Sequence, residues 1–297
     1  MTLRHFRIFQ AVCRESSMTG AAGVLHISQP SVSQAVRELE EHYGTALFDR
    51  IGRQLHLTAA GEALLGYATH MLALAHQADE AMRGFAVASP LTIGATLSIG
   101  ESVFVPLLQA FHVTQPHCRL LSRVGNTREL EQRLLADDID VALIEGEITS
   151  SQLVARPFMR DELVFLAAPV RQLHGEASRE AIAGAPFILR EEGSGTRALF
   201  EAVMQAAELP FTTVGVYNNS ASILQAVAAD LGLTALSQRV AEPFLRAGRL
   251  QTFAVQGVRF SRTFRVVYHQ NKYLTPTLQA FLDVNVNEKV SHVTMNF

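Results

Sequence analysis

Two sets of polar residues in this chain have types and spacing suited to recognition chemistry. The first is Ser28-Gln29-Pro30-Ser31 followed by Ser33, Gln34 and Arg37. These hydroxyls, amides and a guanidinium can read base edges and hold phosphates. The second set sits at three junctions: Thr96-Leu97-Ser98-Ile99-Gly100, Gly125-Asn126-Thr127, and Glu192-Gly193-Ser194-Gly195-Thr196-Arg197. Each junction follows a short apolar run and opens an amphipathic one. Hydroxyls and backbone N–H groups at a helix start, under the positive end of its dipole, favour an anion. Glu145 ends a further apolar run and is placed to face the same region. Plainer roles compete. Ser98 with Glu101, and Asn126 with Glu129, have the spacing of a capping box, which needs no ligand. Arg197 can pair with Glu201 one helical turn on.

Catalytic constellations do not emerge. Gly193-Ser194-Gly195 lacks the Gly-x-Ser-x-Gly spacing of a nucleophile elbow, and no Gly-x-x-x-x-Gly-Lys phosphate loop occurs. His112, His117 and Cys118 cluster in sequence, but the two histidines do not share one helix face and no second ligand pair follows. They read as surface histidines, so neither metal nor cofactor is expected. Cys13 and Cys118 fall in different segments and read as packed apolar residues. The chain is read as non-enzymatic.

The elements that position the first set are legible from period. From Ser28 to Tyr43 the apolar residues Val32, Val36, Leu39 and Tyr43 are spaced 4, 3 and 4, one stripe of an α-helix. That stripe is expected to pack inward, leaving Gln29, Ser31, Ser33, Gln34, Arg37, Glu40 and Glu41 outside. Ser28 is a suitable N-cap, and Pro30 lies where its missing N–H does no harm. A small-residue helix, about Met18 to Leu25, allows the close crossing a helix-turn-helix needs. A helix from about Leu3 to Arg14 adds Phe6, Phe9, Val12 and Cys13 to the same core. A hairpin-like exit carries Arg50 and Arg53.

Thr58 is placed to cap a long helix reaching about Phe85. Leu64, Ala68, Met71, Ala75, Ala78, Met82 and Phe85 alternate spacings of 4 and 3, a heptad seam through which two copies can pair; the alternative is one amphipathic helix lying on its own domain. After Pro90 the pattern becomes short apolar strands alternating with helices, which predicts βαβ units and a mainly parallel sheet. Strands are read at 91–95, 119–124, 141–145, 163–168, 188–189, 213–217, 233–237 and 264–268. Such sheets bind ligands at the carboxyl ends of their strands. The chain has 297 residues and a net charge of −3, which argues against binding polyanions with its whole surface. Its first 60 residues hold six Arg and five acidic residues. The start MTLRHFRIFQ has no apolar signal segment, and no apolar run is long enough for a membrane span, so a cytoplasmic protein without membrane contact is expected.

Ala21-Ala22, Leu25, Ser28-Gln29-Pro30-Ser31-Val32-Ser33, Leu39-Glu40, Gly44, Leu47-Phe48-Asp49-Arg50 and Leu57-Thr58-Ala59-Ala60-Gly61 resemble the winged helix-turn-helix of LysR-type transcriptional regulators. The resemblance is dense over about residues 1–87. It implies that Gln29, Pro30, Ser33 and position 34 face the major groove of promoter DNA and that Arg53 reaches the minor groove. Position 31 is Ser where Ala is usual and position 34 is Gln, so base preference does not carry over.

The resemblance extends more loosely to the second half. It implies an α+β protein overall: a winged helix-turn-helix at 1–57, a linker and dimerisation helix at 58–88, and a regulatory domain at 89–297. That domain is similar to periplasmic binding proteins, with one α/β lobe at about 91–163 and 266–297 and another at about 164–265. A small effector would lie between the lobes, touching Thr96, Leu97 and Ser98 on one side and Ser194, Gly195 and Thr196 on the other, with Asn126, Thr127, Glu145 and Arg197 nearby. The loops at 125–127 and 191–197 are similar to those of members regulating sulfur assimilation or carbon fixation. That narrows the effector to a small anion, a sulfur oxyanion or an organic acid. The resemblance also implies a dimer through the linker helix, a tetramer of two such dimers, and RNA polymerase as a candidate contact. The alternative reading is an architectural DNA-binding regulator that needs no effector.

Overall fold

The computed structural model describes residues 1–51, 54–83, 90–173 and 175–286. Arg53 and Phe85 lie outside the described residues, as do the side chains of Arg50 and Met82. The chain forms two units: Met1–Ser89 with Leu135–Asp137 and Asn271–Tyr273, and Pro90–Leu134 with Asp138–Gln270 and Leu274–Phe297.

The first unit runs α1 (Leu3–Glu15), α2 (Met18–Leu25), α3 (Gln29–Tyr43), an antiparallel hairpin of β1 (Phe48–Ile51) and β2 (Gln54–Leu57), then α4 (Ala59–Arg83). Ile8 and Val12 of α1, Ala21 and Ala22 of α2, and Val32, Ala35 and Val36 of α3 form one buried cluster. Phe6, Phe9, Leu39 and Leu47 form a second with Leu64 and Ala68 of α4. Each of the large side chains removed from water here contributes about 1.5–3 kcal/mol before the entropy of ordering is subtracted. Two residues of α3 depart from the periodic reading. Tyr43, expected inside, is 41% exposed because the helix ends there, and Ala35 supplies an inward position instead. Glu40, expected outside, turns toward the hairpin and accepts from the N–H groups of Leu47 (2.8 Å) and Phe48 (3.4 Å).

Thr58 caps α4 as its position suggested: its Oγ1 accepts from Gly61 N at 3.0 Å and donates to the Ala46 carbonyl. Gly61 lies against the Leu47 backbone, where a Cβ would collide with a carbonyl oxygen. The expected seam of α4 is partly spent inside the unit, since Leu64 and Ala68 are buried against α1 and α3. Among the apolar residues that α4 leaves exposed, Tyr67, Met71, Leu74 and Ala78 are spaced 4, 3 and 4. The heptad period survives with a shifted face.

The second unit continues with β3 (Leu91–Thr96), α5 (Leu97–Gly100), α6 (Phe104–Thr114), β4 (Leu120–Gly125), α7 (Thr127–Leu135), β5 (Val141–Ile144) and β6 (Leu153–Ala167). Then come β7 (Gly175–Ala177), α8 (Arg179–Ile182), β8 (Pro186–Arg190), α9 (Gly195–Ala206), β9 (Thr212–Tyr217) and α10 (Ser220–Ala228). β10 (Thr234–Ser237), α11 (Gln238–Arg246), β11 (Gln251–Val255), β12 (Phe260–His269) and α12 (Pro276–Val286) complete it. The sheet is mixed, not mainly parallel. β3 lies parallel to β4 and β5, whereas β6 pairs antiparallel with β10, β11 and β12. β8 and β9 form a separate parallel pair. The departure has one cause: two strands must cross between lobes in opposite directions. β6 and β12 do so, paired antiparallel from Leu153↔His269 to Leu163↔Phe260 with one register shift between Phe264 and Arg265. β6 is consequently 15 residues long, where period alone found only its apolar end. One core lies around Ile93, Leu107, Phe111, Phe264 and Phe281, and another around Phe165, Phe187, Phe200 and Phe253. These define the two lobes. Among the described residues no helix is long and apolar enough to cross a membrane.

Candidate functional site

The α3 face is built from its cap outward. Ser28 Oγ accepts from Ser31 N at 3.3 Å and lies 2.8 Å from Ser31 Oγ, so both hydroxyls hold the first turn. Gln29 Nε2 donates to Ser33 Oγ at 2.8 Å, which fixes that amide along the outer surface before any partner arrives. Ser28, Gln29, Pro30, Ser31, Gln34 and Arg37 are exposed, and Ser33 is half-buried. Gln34 Nε2 donates to Glu38 Oε1 at 2.9 Å, and Glu38 in turn meets His5. One face therefore offers amides, hydroxyls and a guanidinium, the donor set for a major groove.

The second set converges between the lobes of the carboxyl-terminal unit. Strand register puts Thr96 and Glu145 at the carboxyl ends of neighbouring parallel strands, since Ala95 pairs with Leu143. From the other lobe, α9 opens at Gly195 with Ser194 at its cap. Thr96, Ser98, Thr127, Glu145, Ser194 and Thr196 are all buried. Thr196 Oγ1 donates to Glu145 Oε1 at 3.0 Å and lies 3.5 Å from Ser98 Oγ, so hydroxyls of both lobes meet. A cavity of about 770 Å³ beside them is lined by Thr127, Glu145, Gly146, Ser194, Gly195 and Arg262.

The centre of this cluster is a residue that the sequence reading did not select. Arg262, on β12, donates from Nε to Asp161 Oδ2 at 2.7 Å and from Nη1 to Thr196 Oγ1 at 2.9 Å. Its Nη1 also lies 3.6 Å from Glu145 Oε1. Ser237 Oγ completes Asp161 by donating to Oδ1 at 2.8 Å. Five atoms of this cluster are buried without a hydrogen-bond partner among the described residues: Thr96 Oγ1, Thr127 Oγ1, Glu145 Oε2, Ser194 Oγ and Arg262 Nη2. A larger cavity, about 1090 Å³, opens near Asp161 and Arg239. Size does not decide between the two. Four of these five unpartnered atoms belong to residues lining the smaller one, and an unsatisfied buried polar atom is the costlier feature to leave without purpose.

Other expected positions have structural work. Ser98 lies inside α5 instead of capping it, so its capping-box reading fails; Thr96 is the N-cap and makes no side-chain cap bond. Asn126 does cap, accepting from Glu129 N at 3.0 Å, and its Nδ2 donates across to Glu191 Oε1 at 3.3 Å. Leu97 is half-buried at the start of α5. Arg197 pairs with Glu201 at 2.7 Å, the plainer of its two readings, although it also lines the smaller cavity. Around the same loop, Arg128 N donates to Gly193 O at 3.3 Å, and Gly146 and Gly195 approach backbone to backbone. Among the described residues no group of three or more His, Cys, Asp or Glu gathers as a metal site.

At the end of β8, Arg190 is buried and grips Glu191 through Nε (2.7 Å) and Nη2 (2.8 Å). Burial works to raise the Glu191 carboxyl, but the hydrogen bond and charge of Arg190, with Asn126, outweigh it and hold the carboxyl below the usual carboxylate range. A carboxyl lowered in the folded state contributes stability that is present above its unfolded pKa and is lost as pH falls through the folded one. Glu191→Gln is therefore expected to flatten the acid limb of the stability–pH curve in chemical denaturation. An acid limb identical to that of the parent would show that the pair contributes nothing.

Comparison with known proteins agrees with this architecture. Residues 3–62 match the model of the bacterial regulatory helix-turn-helix protein, lysR family, and residues 86–288 match the LysR substrate binding domain. The HTH-type transcriptional regulator YeiE of Escherichia coli K12 is 34% identical over 284 residues, covering 95% of this chain and 96% of YeiE. A RuBisCO operon transcriptional regulator of Allochromatium vinosum is 32% identical over 291 residues, covering 97% and 96%. It meets the carbon-fixation side of the sequence resemblance. Among solved structures, full-length LysG of Corynebacterium glutamicum with bound effector Arg superposes with a TM-score of 0.69 at 19% identity, over 98% of this chain and 99% of that one. A polar recognition face on a helix-turn-helix, a two-lobed α/β unit and relatives matched along nearly their whole length place the chain in the LysR family of transcriptional regulators.

Proposed function

We propose that this regulator reads promoter DNA through α3 and answers to a small effector held between the lobes of its second unit. In this reading residues 1–57 form the DNA-binding part, 58–88 the linker and 89–297 the regulatory part. Ser28, Gln29, Pro30, Ser31, Ser33, Gln34 and Arg37 meet DNA, with Arg50 and Arg53 holding phosphate or the minor groove. The effector contacts are Thr96, Ser98, Thr127, Glu145, Ser194, Gly195 and Thr196. Leu97, Asn126 and Arg197 shape the walls, and the ligand is a small oxyanion or organic acid. The protein works in the cytoplasm as a homodimer, through the exposed Tyr67, Met71, Leu74 and Ala78 of α4, and two dimers join as a tetramer that bends the promoter and meets RNA polymerase.

The observation that carries the reading is the outer face of α3, where Gln29 and Ser33 are already joined by a 2.8 Å hydrogen bond and stand clear of the core. Selecting sites from a random duplex pool supplies the cognate sequence. Gln29→Ala is expected to weaken binding to it by about 1–3 kcal/mol, roughly 5- to 150-fold, while non-specific affinity stays level. A variant that keeps the parent's affinity and base preference would remove Gln29 from the reading surface. Coupling requires the effector to favour one lobe arrangement over the other, since equal affinity for both shifts nothing.

A further inference from the structure

The cleft contains a carboxylate where an anion site would be expected to avoid one. Glu145 is 4% exposed; its Oε1 is engaged by Thr196, and its Oε2 is buried without a partner among the described residues. An acceptor left in that condition is satisfied by a donor, and a ligand is what enters this cavity. The guanidinium nearby is already neutralised by the protein's own carboxylates. Arg262 spends Nε on Asp161 and Nη1 on Thr196 and Glu145; its Nη2 lies 2.7 Å from Asp161 Oδ2 in an ion pair but makes no hydrogen bond. Among these buried groups two carboxylates face one guanidinium, an excess of one negative charge. Arg239, 3.8 Å from Asp161, is 39% exposed and screened by solvent. Apart from Arg262 Nη2, the groups left for a ligand's oxygens are neutral: the hydroxyls of Thr96, Thr127 and Ser194 and the first-turn N–H groups of α9, which have no partner within their helix.

We propose that Glu145 makes the cleft select for a donor: the ligand is an oxyanion that retains a proton, or a zwitterion that presents its ammonium, and an oxyanion without a donor is rejected. The ligand's O–H or N–H points at Glu145 Oε2 while its oxygens take the hydroxyls of Thr96, Thr127 and Ser194. A ligand without a donor sets oxygen against oxygen in a buried site already carrying excess negative charge. Sites that hydrogen-bond one particular group discriminate strongly against isosteres lacking it, because the protein's own polar atom is then left unpaired. This inference rests on the interlobe cleft being the effector site and adds to it the chemical class of the ligand.

Two matched pairs of probes test it on the full chain at neutral pH, by calorimetry and by saturable thermal shift. Phosphate keeps a proton and sulfate has none; alanine carries an ammonium and pyruvate carries no donor. The expected result is that a donor-bearing member binds and its counterpart binds at least roughly a hundredfold more weakly. Glu145→Gln, which replaces the acceptor oxygen with an amide able to donate, narrows or reverses that ratio, and Glu145→Asp retains it. Sulfate or pyruvate binding the parent protein as well as its counterpart overturns the inference and leaves the cleft assignment standing. An unchanged ratio in a folded Glu145→Gln protein does the same. If that variant does not fold, the comparison on the parent chain decides alone. Absence of saturable binding by all four probes to folded protein overturns both the inference and the cleft reading beneath it.

Discussion

Replacing Arg262 by methionine is expected to cost the carboxyl-terminal unit about 3–5 kcal/mol in chemical denaturation, the largest stability loss among the substitutions considered for the cleft. Arg262 and Asp161 are opposite one another in the β12–β6 register, and the side chains of Arg262, Asp161 and Glu145 are nearly inaccessible to solvent. Methionine fills a comparable volume with no charge, so the loss measures two stranded carboxylates more than a cavity. The pairing gives the test its internal control. Asp161→Asn added to Arg262→Met is expected to recover much of the loss, because one of the two uncompensated charges is gone. A loss under about 1 kcal/mol for the single variant would mean that water or Arg239 replaces the guanidinium at no great cost.

A different kind of failure is expected from Gly195→Ala. A Cβ built on Gly195 would lie 2.5 Å from Gly146 Cα, 2.8 Å from Gly146 N and 2.9 Å from Thr127 Oγ1. Two of these neighbours are backbone and cannot swing aside. At these two glycines the backbones of the lobes approach each other, so the added methyl holds them apart while each lobe keeps its own core. Overpacking at such a contact costs about 3 kcal/mol, which lowers the closed-to-open equilibrium constant roughly a hundredfold. Ligand titration should show apparent affinity falling by up to that factor with secondary structure unchanged. Gly100→Ala is the control: the nearest atoms to its Cβ would be those of the Val124 side chain, at 3.2 Å and beyond. If Gly195→Ala binds ligand like the parent, closure at this contact is not part of the response.

What the sequence disclosed and what it withheld follow from the range of the interactions involved. Ser28 as cap, the inward Val32, Val36 and Leu39, and the short α2 are set by neighbours within a turn or two, and they appear as read. The three polar junctions also lie at strand ends, with Thr96, Ser98, Ser194 and Thr196 gathered in one buried cluster. Arg262 was withheld, although a local trace exists. Phe260, Arg262 and Phe264 alternate with Ser261 and Thr263, which sets the arginine on the inward side of β12. Asp161, Leu163 and Phe165 alternate likewise on β6. An inward charge on each of two strands suggests a buried pair, but matching them requires a register across about a hundred residues. The sheet's mixed sense was missed for the same reason, since strand direction depends on how the chain returns and not on the period of any one segment.

Burial of Leu64 and Ala68 against α1 and α3 has a mechanical consequence. The first turns of α4 are part of the head's own core, so the helix and the head that reads DNA turn as one piece. A helix of 25 residues is roughly 37 Å long at 1.5 Å per residue. A tilt of only 10° about its far end carries the head through roughly 6–7 Å, close to two base-pair steps of 3.4 Å each. The helix behaves as a lever arm with its load keyed on: motions of a few degrees at one end become changes in which bases are within reach at the other, with no joint between them to absorb the movement.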